Sequence, residues 1–397
     1  MASLPHARYL DCCATTPLAP AVAEAMAAAQ AAAWANPSSL HGFGLAAAEQ
    51  LERSRQGMAT LLGIQAERLV FTSGGSESIH LALLGAASTL ERASGAAAPR
   101  LLISAVEHPA TQAAAQALQR RGWQLQELPV DPYGAVDLQA LERWLAPPTR
   151  LVSLVWGQSE VGTMQIIEAI GRLCRQAGVL LHVDAVQVIG HQPVAMGRLP
   201  VDLLSLAAHK IQGPRGVGAL VIREGLDLQP CIGGGGQEGG LRSGTEPVAL
   251  VAGFEEALRL CVRRLEASGG RDPVAPLRDA LLERVLALPG FELSGPDPRA
   301  ASHPERLPHH LSVVVQDSRG GWVQGRRLVQ ALWREGYACS SGSACSSGKG
   351  GASPALAAMG YASGPAGAGL RISLGPWHGS ELLEQLPPAL ERARAAL

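Results

Sequence analysis

An open α/β fold with a mostly parallel sheet is the architecture that the sequence predicts. Short apolar runs rich in Val, Leu and Ile recur between about residues 67 and 222, and most are followed by a segment with helical spacing. This alternation is typical of a parallel sheet covered by helices on both faces. The runs that predict strands are 69–72, 101–105, 123–128, 151–156, 179–183, 201–206 and 217–222, and the clearest helical segments are 111–121, 138–145 and 166–177.

A smaller α+β unit is predicted for the C-terminal part of the chain. The Gly-rich stretch 233–240 interrupts the alternation, a helix is predicted near 247–267, and the polar stretch 268–273 with its Gly and Pro residues indicates a domain boundary. From about residue 275 onward the pattern predicts a helix, a strand near 311–315, a second helix, a Cys-bearing loop, a strand near 370–374 and a final helix.

Composition and charge exclude several classes of protein. The 33 basic and 34 acidic residues leave a net charge of −1, so no general attraction to nucleic acid or to an anionic membrane is expected. The sequence has no apolar run near the roughly 18 residues that a membrane helix needs, and no secretory signal pattern. Seven scattered cysteines favour a reducing, cytoplasmic setting over a disulfide framework. No metal site is expected, since no Cys or His group has zinc-ligand spacing.

The two lysines of the chain are an unusual feature. Among 33 basic residues only Lys210 and Lys349 are lysines, so arginine is used wherever a positive charge is enough. A lysine retained in such a chain suggests chemistry that needs an amine, such as an imine with a carbonyl compound. Survival by chance is the alternative, and this observation alone does not decide between them.

Polar residues follow the predicted strands at the point where each strand ends. Ligands of open α/β sheets bind outside the carboxyl ends of the strands, so these residues are expected at one edge. A glycine turn that opens a helix suits a phosphate, and pyridoxal phosphate further needs a lysine amine, a carboxylate for its ring nitrogen and a flat partner. The residues concerned are the turn Ser73–Ser78, Glu107 with His108, Gln158 to Glu160, Asp184 with Gln187, and His209 with Lys210.

Each of these features has a simpler alternative. A single Asp at a strand end is most often a helix cap. A single histidine is most often a loop residue whose hydrogen bonds are satisfied by its neighbours. The Gly-rich stretch 233–240 taken alone fits a flexible loop. The prediction of a pyridoxal-phosphate site therefore rests on their convergence.

The order and the residue identities of these motifs resemble those of a known family. The chain resembles the cysteine desulfurases of the NifS/IscS type, within the class V aminotransferase group of fold-type I pyridoxal-phosphate enzymes. The matching stretches are Tyr9-Leu10-Asp11, Ala14-Thr15-Thr16-Pro17, Asn36-Pro37-Ser38-Ser39, Phe71-Thr72-Ser73-Gly74, Glu107-His108, His182-Val183-Asp184-Ala185, His209-Lys210, Arg242-Ser243-Gly244-Thr245 and Ser341-Gly342-Ser343-Ala344-Cys345.

This resemblance implies a fold and a set of cofactor contacts. It implies a large domain at 16–265 with a mostly parallel seven-stranded sheet, and a small α+β domain at 1–15 and 270–397 that carries the catalytic Cys loop. The cofactor would be pyridoxal 5′-phosphate. Lys210 would bind its aldehyde and move the Cα proton, Asp184 would pair with the ring nitrogen, Gln187 would bond the ring hydroxyl, His108 would stack on the ring and serve in acid–base steps, and Gly75, Ser76, His209 and the partner subunit's Thr245 would hold the phosphate.

The resemblance also implies the substrate contacts and the product. Arg371 would clamp the carboxylate of L-cysteine, a bidentate task suited to guanidinium, and Ser159 would contact the substrate and the ring oxygen. The thiolate of Cys345 would take the sulfur as a persulfide and alanine would leave. The small and polar residues of 340–353 fit an arm that reaches a sulfur-acceptor protein, either an iron–sulfur scaffold or a thiolation protein. A homodimer is implied.

Three departures from the family pattern keep other functions open. Gly75-Ser76 stands where Ala-Thr is common, Ser159 where Asn is usual, and Ala207 where a serine helps the phosphate. The losses at Ser159 and Ala207 motivate one alternative, a weakly catalytic partner in iron–sulfur assembly. A cysteine or cystine C–S lyase and a selenocysteine lyase are the alternatives within the same fold.

Overall fold

The computed structural model describes residues 6–93, 98–342 and 352–397. Helices and strands alternate through the first two thirds of the chain. The helices are α1 (Pro20–Ala32), α2 (Gly42–Leu62), α3 (Gly75–Ala93), α4 (Pro109–Arg120), α5 (Leu138–Trp144), α6 (Ile167–Gln176), α7 (Val248–Ala267), α8 (Ala275–Leu286), α9 (Gly325–Arg334), α10 (Pro354–Ala358), α11 (Ser363–Ala366) and α12 (Leu382–Ala395). The strands are β1 (Leu69–Thr72), β2 (Arg100–Ser104), β3 (Gln124–Leu128), β4 (Thr149–Val155), β5 (Leu180–Asp184), β6 (Leu203–Ala207), β7 (Gly218–Ile222), β8 (Phe291–Leu293), β9 (His310–Val315) and β10 (Gly369–Ser373).

A seven-stranded sheet in the order β1-β7-β6-β5-β4-β2-β3 forms the centre of the molecule. The strands β6, β5, β4, β2 and β3 are parallel to one another. Strand β7 is antiparallel to both of its neighbours, β6 and β1. The predicted α/β class is thereby confirmed, and each strand begins and ends within one or two residues of its apolar run.

Both faces of this sheet are buried, as parallel strands require. Alternate residues of β2 belong to two different core clusters, Leu102 to one and Leu101 with Ile103 to the other. The same alternation occurs in β7, where Val221 and Leu220 face opposite layers. Covering helices therefore bury the faces of the inner strands, while the edge strand β3 stays partly exposed.

A three-stranded antiparallel sheet, β10-β9-β8, forms a second and smaller unit. Its core includes Leu10 from the N-terminal segment, which also bridges from Tyr9 to Ala338 and from Asp11 to Ser373. The sequence pattern missed β8, because a three-residue strand is too short to show an alternation. The domain boundaries at 16–265 and at 1–15 with 270–397 stay predictions. Among the described residues no helix is long and apolar enough to cross a membrane.

Candidate active site

A cavity of about 240 Å³ lies at the carboxyl ends of the central strands. Parallel strands all end at the same edge, which explains why residues far apart in the sequence meet there. Eight of the residues predicted from the sequence line this cavity: Gly75, Ser76, His108, Ser159, Asp184, Gln187, His209 and Lys210.

Lys210 lies in a short 3₁₀ turn directly after β6. Its Nζ atom donates hydrogen bonds to the carbonyl oxygens of Cys13 at 2.5 Å and Ala14 at 2.8 Å. Burial lowers the pKa of the amine. A lowered pKa increases the fraction of uncharged amine, which is the form that attacks a carbonyl group.

Asp184 is the last residue of β5 and is buried at the cavity wall. Its Oδ1 atom accepts a hydrogen bond from the backbone N–H of Val186 at 3.0 Å. Burial raises the pKa of this carboxyl group, while the nearby His108 and Lys210 act in the opposite direction. A cationic ring nitrogen placed against Asp184 would therefore stabilise the charged carboxylate that burial disfavours.

His108 is the N-cap residue of α4, and this position fixes its ring. Its Nδ1 atom accepts the backbone N–H of Ala110 at 3.1 Å, so the proton of the neutral ring lies on Nε2. Burial lowers the pKa of His108, which favours that neutral form. The ring therefore presents one defined donor at the cavity wall.

The opposite end of the cavity suits an anion. Helix α3 begins at Gly75 directly after β1, and the first N–H groups of a helix have no acceptor within it. Ser76 and His209 line the same cavity. A Cβ atom at Gly75 would lie 2.8 Å from Cγ2 of Val186, so an alanine here would require the Val186 side chain to shift.

These residues fit pyridoxal phosphate. One cavity contains an amine, a buried carboxylate, an imidazole with a defined tautomer and a helix N-terminus with a hydroxyl, which are the groups that the aldehyde, the ring nitrogen, the ring face and the phosphate need. The amide of Gln187 is nearby and donates to the Cys13 carbonyl at 2.9 Å. Lys210 and Gln187 thus share one backbone acceptor.

Arg371 lies in β10 of the small sheet and is fully buried. Its Nη2 atom pairs with Oδ1 of Asp11 at 2.7 Å, and its Nη1 atom donates to the carbonyl of Ser159 at 3.0 Å. Its Nε atom has no hydrogen-bond partner among the described residues. The guanidinium therefore connects the small sheet to the turn that forms one wall of the cavity.

Among the described residues, two predicted ones, Arg371 and Thr245, do not line this cavity. Thr245 lies in a separate groove of the same chain together with Trp34 and Asn36. Cys345 belongs to 343–351 and lies outside the described residues. On the far side of that segment, the hydroxyl of Ser353 donates to Oε2 of the cavity residue Glu160 at 2.6 Å.

Several residues of the site were missed by the sequence reasoning. The carbonyl groups of Cys13 and Ala14 hold Lys210, and Asp11 pairs with Arg371. Glu107 is predicted at the ligand-binding edge from its place after a strand end, without a role, and it is buried in the cavity wall. Backbone acceptors carry no sequence signal at all.

Comparison with known proteins agrees with this geometry. The model of the aminotransferase class-V family matches residues 8–386. A cysteine desulfurase named IscS 1 from Archaeoglobus fulgidus is 36% identical over 392 residues, which cover 98% of each chain. A cysteine desulfurase of Cereibacter sphaeroides is 38% identical over 397 residues, covering 98% of this chain and 96% of the relative. A solved NifS-like protein superposes with a TM-score of 0.87 at 31% identity, covering 98% of this chain and 99% of the other. The predicted resemblance is confirmed: the chain belongs to the class-V aminotransferase family and, within it, to the pyridoxal-phosphate-dependent cysteine desulfurases.

Proposed function

We propose that this chain removes the sulfur of L-cysteine, releases L-alanine and keeps the sulfur as a persulfide on Cys345. The observation that carries the proposal is the single cavity shared by the Lys210 amine, the buried Asp184 carboxylate and the N-terminus of α3. Each of the three meets a different chemical requirement of pyridoxal phosphate.

The cofactor, when bound, withdraws electrons from the substrate and makes the bond between Cβ and sulfur cleavable. Asp184 would keep the ring nitrogen protonated. Lys210 would remove the Cα proton and return it, a step that a buried amine with a lowered pKa performs well. His108 would stack on the ring and offer its Nε2 proton.

The substrate carboxylate is assigned to Arg371 and Ser159. The guanidinium of Arg371 is held by Asp11 and by the Ser159 carbonyl, so its position is fixed before substrate arrives. Its buried Nε atom has no partner among the described residues and is a donor that a carboxylate could satisfy. The asparagine that is usual at position 159 would offer an amide donor to the substrate. Serine is shorter and has no amide, so we expect weaker substrate binding in this chain.

Sulfur transfer requires the thiolate of Cys345. The thiolate attacks the substrate sulfur, the new sulfur–sulfur bond replaces the bond to Cβ, and the proton that Cβ needs comes from the site. L-cysteine and the thiol give L-alanine and the persulfide, so no oxidant or reductant is needed for this half of the reaction.

A second copy of the chain and an acceptor protein are the proposed partners. Trp34 and Phe43 are 62% and 64% exposed, with their ring centroids 5.7 Å apart, and Trp34 borders the groove that contains Thr245. A second copy that covers these apolar rings would also cover the groove that contains Thr245. The persulfide would then pass to an iron–sulfur scaffold or a thiolation protein, in the cytoplasm.

The test is the product formed from L-cysteine in the presence of a reductant. We expect alanine and sulfide from the unmodified protein, loss of both from Cys345→Ser, and no change in Cys231→Ser, which removes an exposed thiol that does not line the cavity. Borohydride treatment should fix the cofactor covalently on Lys210.

The same assay separates the alternatives. Pyruvate from Cys345→Ser would identify a cysteine or cystine C–S lyase, and alanine from selenocysteine in that variant would identify a selenocysteine lyase. Bound cofactor without alanine in the unmodified protein would leave a weakly catalytic partner in iron–sulfur assembly.

A further inference from the structure

Glu107 is a buried acidic residue of the cavity wall to which the proposed function gives no role. It follows the end of β2 at Ser104 and directly precedes His108. It is 6% exposed and lines the same cavity as Asp184 and Lys210. Burial of a carboxyl group without a paired cation is unusual in a protein, so its contacts need an explanation.

One oxygen of Glu107 fastens the turn between β2 and α4 to the neighbouring strand. Its Oε1 atom accepts hydrogen bonds from the hydroxyl of Ser104 at 2.5 Å and from the backbone N–H of Val155 at 2.9 Å. The register of β2 with β4 ends at Ile103 and Ser153, so the side chain of Glu107 supplies an acceptor beyond the point where the backbone pairing ends. The contact fixes the residue that precedes His108.

The other oxygen of Glu107 has a different environment. Its Oε2 atom is buried and has no hydrogen-bond partner among the described residues. An ionised oxygen in that position would be a desolvated charge without compensation, whereas a protonated one is a neutral group. Burial, with a smaller contribution from the charge of Asp184, raises the pKa of Glu107 to about 8. Since Oε1 already accepts two hydrogen bonds, the proton belongs on Oε2.

We propose that Glu107 is a positioning residue, whose Oε1 atom fastens the His108 turn to β4 and whose Oε2 atom holds a proton, so that the negative charge of this wall stays on Asp184. The inference rests on the proposed function, because it concerns the residues assigned to the cofactor ring. It explains why two carboxyl groups share one wall: one carries the charge for the ring nitrogen, and the other acts as a neutral group that holds the imidazole in place.

A neutral side chain of the same shape should replace Glu107. In Glu107→Gln the amide oxygen can accept the bonds from Ser104 and Val155, and the amide nitrogen occupies the place of the protonated oxygen. Glu107→Ala removes both contacts and releases the turn. Thr111→Val is the matched control, because Thr111 lies in α4, is fully buried and has a hydroxyl without a partner among the described residues, yet it does not line the cavity.

The experiment compares these three variants with the unmodified holoenzyme. The readouts are the visible circular dichroism of the bound cofactor, which reports its orientation against His108, the melting temperature, and kcat and KM for alanine formation. We expect Glu107→Gln and Thr111→Val to keep the dichroic band and to stay within about threefold in kcat. Glu107→Ala should change the band and lower kcat about tenfold or more with little change in KM, as the loss of two hydrogen bonds to a positioned turn implies.

Two results would overturn the inference. If Glu107→Gln loses the band and the activity as fully as Glu107→Ala, the site needs the ionised carboxylate. If Glu107→Ala keeps both, the residue positions nothing. Borohydride fixation of the cofactor on Lys210 in the unmodified protein is a separate test of the proposed function. If no cofactor is fixed there, the proposed cofactor site is wrong, whatever the Glu107 variants do.

Discussion

Two buried charges in or beside the cavity differ in how completely the protein satisfies them. Asp184, from the large sheet, accepts one backbone N–H at 3.0 Å, and burial raises its pKa. Arg371, from the small sheet, is paired with Asp11 and bonded to the Ser159 carbonyl, and interaction with Cys13 and Asp11 raises its pKa despite burial. We therefore expect a ligand to stabilise Asp184 on the large-sheet side, whereas the contacts of Arg371 on the small-sheet side are already formed within the chain. Destabilised charges of the first kind are typical of functional sites.

Asp184→Asn should separate stability from cofactor binding and gives the largest expected effect. If Asp184 pairs with the ring nitrogen as proposed, removal of its charge should weaken cofactor binding by about 2–5 kcal/mol. The cofactor-free protein should unfold at the same or a higher urea concentration, because the substitution removes a buried charge. Fluorescence titration with pyridoxal phosphate and urea unfolding of the apoprotein measure the two quantities. A destabilised apoprotein would contradict the contrast with Arg371.

Asp11→Asn should destabilise the protein even without cofactor, in contrast to Asp184→Asn. Replacing the charged acceptor of the Arg371 guanidinium by a neutral one should lower the free energy of unfolding by about 1.5–3 kcal/mol even without cofactor. It should also raise KM for L-cysteine more than it changes kcat, because Arg371 loses its fixed position. Glu335→Gln, which removes an exposed ion pair with Arg392, is the control and should change stability by less than about 1 kcal/mol. If Asp11→Asn and Glu335→Gln lower the free energy of unfolding equally, Arg371 is not preorganised by Asp11.

Gly75→Ala tests the close packing at the anion end of the cavity. The added methyl group would lie 2.8 Å from Cγ2 of Val186, so overpacking should cost about 1–3 kcal/mol in cofactor affinity or stability. Val186→Ala removes that methyl, and the double variant should recover most of the loss. A double-mutant cycle measures the coupling, and additive effects would show that the two side chains do not compete for the same space.

A fourth prediction concerns His182, which lies two residues before Asp184 in β5. Its ring bonds Ser153 at 2.7 Å and Ser205 at 2.8 Å, and burial lowers its pKa from 6.5 to about 3. Below pH 6.5 the imidazole of His182 is protonated in the unfolded chain but stays neutral in the native state. The free energy of unfolding therefore decreases as the pH falls from 6.5 toward 3. The slope is at most about 1.4 kcal/mol per pH unit. His182→Gln should flatten the acid side of the stability curve, which urea unfolding at several pH values measures.

The sequence by itself determined the layered fold and most of the cavity wall. Apolar runs report local strand and helix formation, and the direction of parallel strands then places Asp184, His108 and Lys210 at one edge without further information. Motif resemblance supplied the cofactor and the family, which the comparisons confirm.

Only the tertiary structure decided which groups satisfy these side chains. Lys210 bonds the Cys13 carbonyl across 197 positions of the sequence, and Arg371 pairs with Asp11 across 360. Glu107 differs from a solvated strand-end acid only because Val155 donates to one of its oxygens and the packed wall isolates the other. Periodicity describes neighbours along the chain, whereas burial, hydrogen-bond partners and the resulting pKa values depend on packing between distant segments.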